Sequence, residues 1–465
     1  MNHHPRVEWW RREFAGESGY RSAAIAPAEA KGPDSAVPFW ALMSFTFILL
    51  IAPQTFFPAL ASLRIALLAA AVAMTTYLVD RFIHRQPVVK LSREMWITTC
   101  LVGWAILTVP LSYWPGGSVS FLLNMYFKAL TIFWLLSNLV NTLTRLRLVA
   151  WGLSLMAVPL AASGVNQYLS GNFIAGAVVK RIVGYEAPLT GNPNDLALML
   201  NLILPFSLAL LLVHQKPLVR IVLLATIALD VTAVILTFSR SGFLTLATTF
   251  VMYLWKLSKR PEHGWAAAVL VVALVCIPLL PSGYLGRLST ITDIESDRTG
   301  SAQARWSDTV SAVTFVLDNP IIGAGVGMNT LALNDVRGSL WKAIHNVYLE
   351  YAVELGLPGL LLFLSLLIGC IRSATFVQTR SAGAPAFREV FHLALGIQIS
   401  LIAFAVAALF HPVGYHFYFY YIAGLAVAAR AVYGAEAENA PRESGQSGEP
   451  EGSVAPYTWS GLGRV

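Results

Sequence analysis

A small set of charged and imidazole side chains stands out by type and spacing. His345 and Asn346 are followed, after nine residues, by Gly356-Leu-Pro-Gly359. That spacing predicts a helix that breaks at Gly-Leu-Pro-Gly and places His345 one helix length before the break. A His so placed can act as a general base near neutral pH; a merely polar surface residue is the competing reading. Arg181, beside Lys180, opens a stretch that ends in Asn192-Pro-Asn194, and Arg240 sits in Thr237-Phe-Ser-Arg-Ser-Gly242. The guanidinium fork of each suits bidentate binding of phosphate oxygens, with headgroup anchoring as the alternative. Arg64 and Lys128 lie inside apolar runs, each ~9 Å from one end of its run at helical rise. Intramembrane charges are costly unless paired or facing a wet cavity, so these two, with Arg181 and Arg240 above them, suggest an anion site at a membrane interface. Asp230, near the middle of its own apolar run, is a candidate partner for one of them.

The elements that must position these groups follow from composition. Of 465 residues, 56% are hydrophobic and only 12% charged, with mean hydropathy +0.62. Soluble domains carry roughly 25% charged residues. Soluble-enzyme, disordered and disulfide-scaffold classes are excluded, and Cys100, Cys276 and Cys370 each fall in an apolar run. Apolar segments at 38–57, 58–79, 94–112, 121–141, 146–166, 195–213, 217–238, 241–257, 264–281, 356–373, 390–410 and 417–433 predict an all-α polytopic membrane protein of about twelve transmembrane helices. No internal repeat is apparent.

Of 32 Lys and Arg, 22 fall on one side of these alternating spans and eight on the other, with Arg64 and Lys128 inside them. Positive-inside bias then puts both termini in the cytoplasm and accounts for the net charge of +7 without nucleic acid. The expected organisation is a cytoplasmic N-terminal tail (1–36), helices 1–9 (37–281), a periplasmic loop or cap (282–355), helices 10–12 (356–433) and a disordered cytoplasmic tail (434–465). The tail at 1–36 lacks the apolar core of a signal peptide. The long loop is expected to be partly helical and folded, with Trp306, Phe315, Val316, Ile321, Ile322 and Trp341 as its apolar residues. Gly323-Ala-Gly-Val-Gly327 lacks the spacing of a dinucleotide fingerprint and reads as a tight turn. Asp293-Ile-Glu-Ser-Asp297 lacks the Gly and terminal Glu of a calcium loop and reads as a solvated acidic segment.

Taken in order, these pieces resemble the O-antigen ligase and polymerase superfamily of bacterial membrane glycosyltransferases. The signature His-[Asn/Ser/Gln], nine residues, Gly-x-x-Gly is met by His345, Asn346, Gly356 and Gly359. Arg181 with Asn192-Pro193-Asn194, the turn Ser239-Arg240-Ser241-Gly242, and Arg305 ahead of Asn319-Pro-Ile-Ile-Gly-Ala-Gly-Val-Gly327 are similar to its other motifs. The resemblance covers roughly 40–430. It implies glycan transfer from undecaprenyl diphosphate on the outer face of the inner membrane, without metal or cofactor. The acceptor would be lipid A-core in a ligase, a growing polysaccharide in a polymerase, or protein Ser/Thr in relatives. Arg181 and Arg240 would bind the diphosphate, and His345 would activate the acceptor hydroxyl or hold the leaving group. Arg305 and Asn346 join Arg64 and Lys128 as substrate-binding candidates. Transport of a small anion is the competing function from another class.

Overall fold

The computed structural model describes residues 36–89, 91–174, 180–185, 187, 189–259, 264, 284–289, 300–338 and 341–439. Every regular element among them is helical. The order is α1 (Val37–Ile51), α2 (Ala59–Ser62), α3 (Ile65–Ile83), α4 (Arg93–Leu107), α5 (Pro115–Phe121), a π-helical turn (Leu122–Tyr126) and α6 (Phe127–Leu139). There follow α7 (Leu143–Leu169), α8 (Pro193–Val213), α9 (Pro217–Leu236), α10 (Arg240–Ser258), α11 (Tyr284–Ser289) and α12 (Ser301–Asp318). The chain ends with α13 (Asn329–Arg337), α14 (Val347–Ser381), α15 (Arg388–Ala407) and α16 (Phe417–Asn439).

Eight helical segments among the described residues are long and apolar enough to cross a membrane. Helices also occupy the expected spans at 241–257 and 417–433, while α1 is shorter, at 15 residues. All of the expected span 264–281 but its first residue, and Asp293-Ile-Glu-Ser-Asp297, lie outside the described residues. α16 runs past Tyr433 to Asn439, further than expected.

α8 and α15 form the centre: they pack on each other and are apolar almost all round, as a helix enclosed on every side must be. α7, α9 and α10 pack on α8, while α14 and α16 pack on α15. Gly396 permits the close α8–α15 crossing, because a Cβ there would lie 2.8 Å from the Pro205 carbonyl oxygen.

Two expectations are corrected. The runs 38–57 and 58–79 are not continuous spans meeting near residue 57. Pro53 ends α1 after a left-handed Ala52, short turns follow, and the next long helix begins only at Ile65. Arg64 is therefore the exposed residue preceding α3, not a charge within a span. In the long loop, Phe315 is buried, but Trp306 and Trp341 are 65% and 67% exposed and Ile321 is exposed too. Trp306, Val310, Val313 and Leu317 form one exposed stripe along α12, so apolarity there does not mark an interior.

The break at Gly356 is built by close backbone approach. Gly356 has φ 67° and ψ −174°, and the Leu357 amide donates to the Pro320 carbonyl at 2.8 Å. Ala324 and Gly325 amides donate to the Val353 and Glu354 carbonyls at 2.7 and 2.8 Å, capping the end of the first α14 segment. A Cβ at Gly356 would sit 2.1 Å from the Ile321 oxygen, and one at Gly359 would sit 2.2 Å from Leu355 Cβ. Both glycines of the signature thus serve this break. Gly356→Ala is expected to cost about 2–4 kcal/mol through overpacking and a disfavoured φ. Thermal unfolding in detergent should show a clear drop in midpoint, whereas Gly383→Ala, with open space around it, should leave it unchanged.

Candidate active site

Three helix starts converge on one place. Asn192 is the N-cap of α8: its Oδ1 accepts from the Asn194 and Asp195 amides at 2.9 and 3.0 Å, and Pro193 fills the first helical position. Ser239 caps α10 by accepting from the Gly242 amide at 3.1 Å, which makes Arg240 the first, half-buried residue of that helix. Asn346 caps α14, its Oδ1 accepting from the Tyr348 and Leu349 amides at 2.9 and 3.2 Å. Its side-chain oxygen is thereby committed to the helix start, which fixes the chain at His345.

Asn194 Oδ1 is the hub. It accepts from Arg181 Nη2 at 2.8 Å and from Ser239 Oγ at 2.8 Å. Arg181 Nε donates to the Thr237 carbonyl at 3.1 Å. The guanidinium is held as a rigid fork between the starts of α8 and α10 rather than waving from a loop.

Beside this hub lies a cavity of about 180 Å³ whose lining includes Asn194, Asp195, His345, His411, His416 and Tyr418. His345 Nδ1 is 3.1 Å from the Ala343 carbonyl, which can only accept, so the ring proton sits on Nδ1 and Nε2 is left as an acceptor. Burial holds the His345 pKa below the usual 6.5; Arg305 and Lys342 add to this, while the Ala343 carbonyl and Asp308 oppose it. The motifs alone point to Arg181 and Arg240 as the cations acting on His345; Arg305 on α12 is the one that does so most strongly. Asp308 in turn pairs with Arg337 of α13, tying the two loop helices together.

His411 bridges α15 to α8, with Nδ1 2.9 Å from the Ala407 carbonyl and Nε2 3.3 Å from the Asn194 carbonyl. Burial pushes its pKa down to about 4, so the neutral ring donates to only one of the two. Burial also lowers the pKa of His416. Asp195, His411 and His416 are lining residues that sequence reasoning misses. The signal is faint: two histidines in a short connection between apolar runs, and an Asp directly after the Asn-Pro-Asn.

Arg181, Asn194 and His345 come together, with Arg240 adjoining through Ser239 and Arg305 close enough to act on both His345 and His411. Arg64 and Lys128 do not line the cavity; both side chains are exposed, at the start of α3 and on α6. Asp230 is fully buried in α9, yet neither carboxylate oxygen has a partner among the described residues, so the expected ion pair with Arg64 or Lys128 is not formed. Glu354 is occupied by the Gly327 amide at 2.7 Å and by Asn329 Nδ2 at 2.5 Å, and Glu350 by the Gly414 amide at 3.0 Å. These acids brace the glycine-rich turn and the α15–α16 connection. Glu186 lies outside the described residues. Among the described residues no three His, Cys, Asp or Glu side chains converge as metal ligands.

A search of curated proteins finds no match to this sequence. Residues 223–364 match the family model described as O-antigen ligase, a stretch that includes Arg240, Arg305, His345 and the Gly356 break. That match supports the resemblance of this multi-pass membrane chain to the O-antigen ligase and polymerase superfamily.

Proposed function

We propose that the protein is a membrane glycosyltransferase of the O-antigen ligase type. It moves a glycan from undecaprenyl diphosphate to an acceptor hydroxyl, lipid A-core or a surface glycan, at the periplasmic face of the inner membrane. The twelve-span topology with cytoplasmic termini, and a loop cap over 282–355, are part of this reading. The observation that carries it is that one cavity is lined both by His345 and by Asn194, the residue that braces the Arg181 fork.

The chemistry follows from those groups. The acceptor hydroxyl gives its proton to His345 Nε2 as its oxygen attacks the anomeric carbon of the donor sugar. The bond from that carbon to the diphosphate breaks, and undecaprenyl diphosphate leaves with the electron pair. Negative charge grows on the departing oxygen, where preorganised guanidinium groups stabilise it more in the transition state than in the ground state. Arg181, Arg240 and Arg305 supply that charge without a metal ion. Transfer is accordingly expected to persist in EDTA. Loss of activity restored by magnesium or manganese would contradict this and direct attention to Asp293, Glu295 and Asp297.

The glycans of a deletion strain, separated by size, test the reading. Retained lipid-linked polymer with bare lipid A-core is the expected result. Single capped repeats would make the protein a polymerase, and unchanged glycans would point to anion transport.

A further inference from the structure

The lining of the cavity beside the arginine hub combines two kinds of residue. His345 and the Asn194 that steadies Arg181 belong to the chemistry described above. Asp195, His416 and Tyr418 line the same cavity and have no part in it. A carboxylate is a poor neighbour for a diphosphate, since like charges repel strongly where water is scarce. The part of the lining that holds Asp195 is therefore unsuited to the anionic part of a donor.

It is well suited to a polyol. Asn192 Nδ2 donates to Asp195 Oδ2 at 2.5 Å, which orients the carboxylate and leaves its other oxygen as an acceptor for hydroxyl donors. Tyr418 donates its hydroxyl to the Leu189 carbonyl, so its ring is fixed as an apolar wall. His416 contributes an imidazole held neutral by burial, able to donate through one nitrogen and accept through the other. A volume of about 180 Å³ equals roughly six waters at ~30 Å³ each, the scale of one pyranose ring. Three histidines and an Asp around one cavity also invite a metal, but no three of these side chains converge as ligands among the described residues.

We infer that the part of the lining formed by Asp195, His416 and Tyr418 is a binding subsite for one neutral sugar ring, the hydroxyl-bearing end of the acceptor. Calling that sugar the acceptor rests on the glycosyl-transfer reading; that a neutral sugar binds there does not. Asp195 accepts from ring hydroxyls, His416 donates to or accepts from a neighbouring one, and Tyr418 packs on the ring face. The hydroxyl to be glycosylated then shares the cavity with His345.

The experiment uses the full chain in lipid nanodiscs, free of glycosidic detergent, with two probes. A panel of neutral methyl hexopyranosides is read by saturation-transfer NMR, and inorganic pyrophosphate binding is read by calorimetry. The wild type is expected to give saturation transfer to at least one glycoside. Asp195→Asn and His416→Gln should each weaken that signal at least fivefold, and Asp195→Glu should restore part of it. Pyrophosphate binding should be kept or tightened in both variants, which also shows that they are folded. Absence of glycoside binding to the wild type, equal binding by wild type and both variants, or joint loss of glycoside and pyrophosphate binding would each overturn the subsite. Failure of the wild type to bind pyrophosphate, with glycoside binding intact and sensitive to Asp195, would instead count against the diphosphate reading and support the sugar subsite.

Discussion

Replacing His345 with Gln is expected to slow glycan transfer by ~10²–10⁴-fold, the usual size of a general-base contribution, while donor binding stays close to wild type. Gln keeps a hydrogen-bonding group but has no nitrogen that titrates near neutrality. The structural reason to expect a base is specific: the Ala343 carbonyl holds the proton on Nδ1, which leaves Nε2 as the acceptor of a ring that lines the cavity. The pH profile carries a sign. A base must be neutral, and burial followed by Arg305 lowers the His345 pKa from 6.5. Wild-type activity should therefore stay level through neutral pH and fall only on the acid side of 6.5. Removing Arg305 takes away one lowering influence, so Arg305→Gln should move the acid limb to higher pH. Lost donor affinity with normal turnover at saturating donor in the His345→Gln variant would make His345 a diphosphate ligand instead.

Changing Arg181 to Lys is expected to reduce transfer by ~10²–10³-fold, the scale seen when one preorganised charge-stabilising donor is removed. Lysine offers a point charge on a flexible stem, whereas Arg181 spends Nε on the Thr237 carbonyl and Nη2 on Asn194 while still carrying its charge to the site. Arg240→Lys should show a loss of the same kind, because the residue opens α10 where the helix amides also favour an anion. Ser239 continues to hold Asn194 in the Arg181 variant, so membrane insertion and protein level should be nearly unchanged. Full activity of Arg240→Lys at wild-type protein levels would leave headgroup anchoring as that residue's role.

Much of this site is legible in the sequence because its local chemistry is written in short motifs. Asn192, Ser239 and Asn346 are N-cap residue types followed by apolar helix, and Gly356-Leu-Pro-Gly359 announces a break; each does what its type dictates. What short motifs do not carry is which helix starts meet. That Asn194 joins Arg181 to Ser239, and that His411 and His416 close the cavity, depends on α8 and α15 packing together although they are far apart along the chain. Arg64 departs from expectation because the apolar run 58–79 does not reveal that its long helix begins only at Ile65, after short turns. The loop tryptophans depart from it for a different reason. Trp306 falls on the exposed stripe of α12 with Val310, Val313 and Leu317, so hydrophobicity alone does not tell which face of a loop helix is covered.

The most direct test of the central claim is transfer by the purified, reconstituted protein supplied with undecaprenyl-diphosphate-linked glycan and lipid A-core. Products would be followed by separate labels on the glycan and on the lipid. The account predicts that each glycan gained by the acceptor releases one undecaprenyl diphosphate, at a rate that collapses in Arg181→Lys and His345→Gln. A donor left intact by the wild type, or consumed equally fast by the His345→Gln variant, would contradict it.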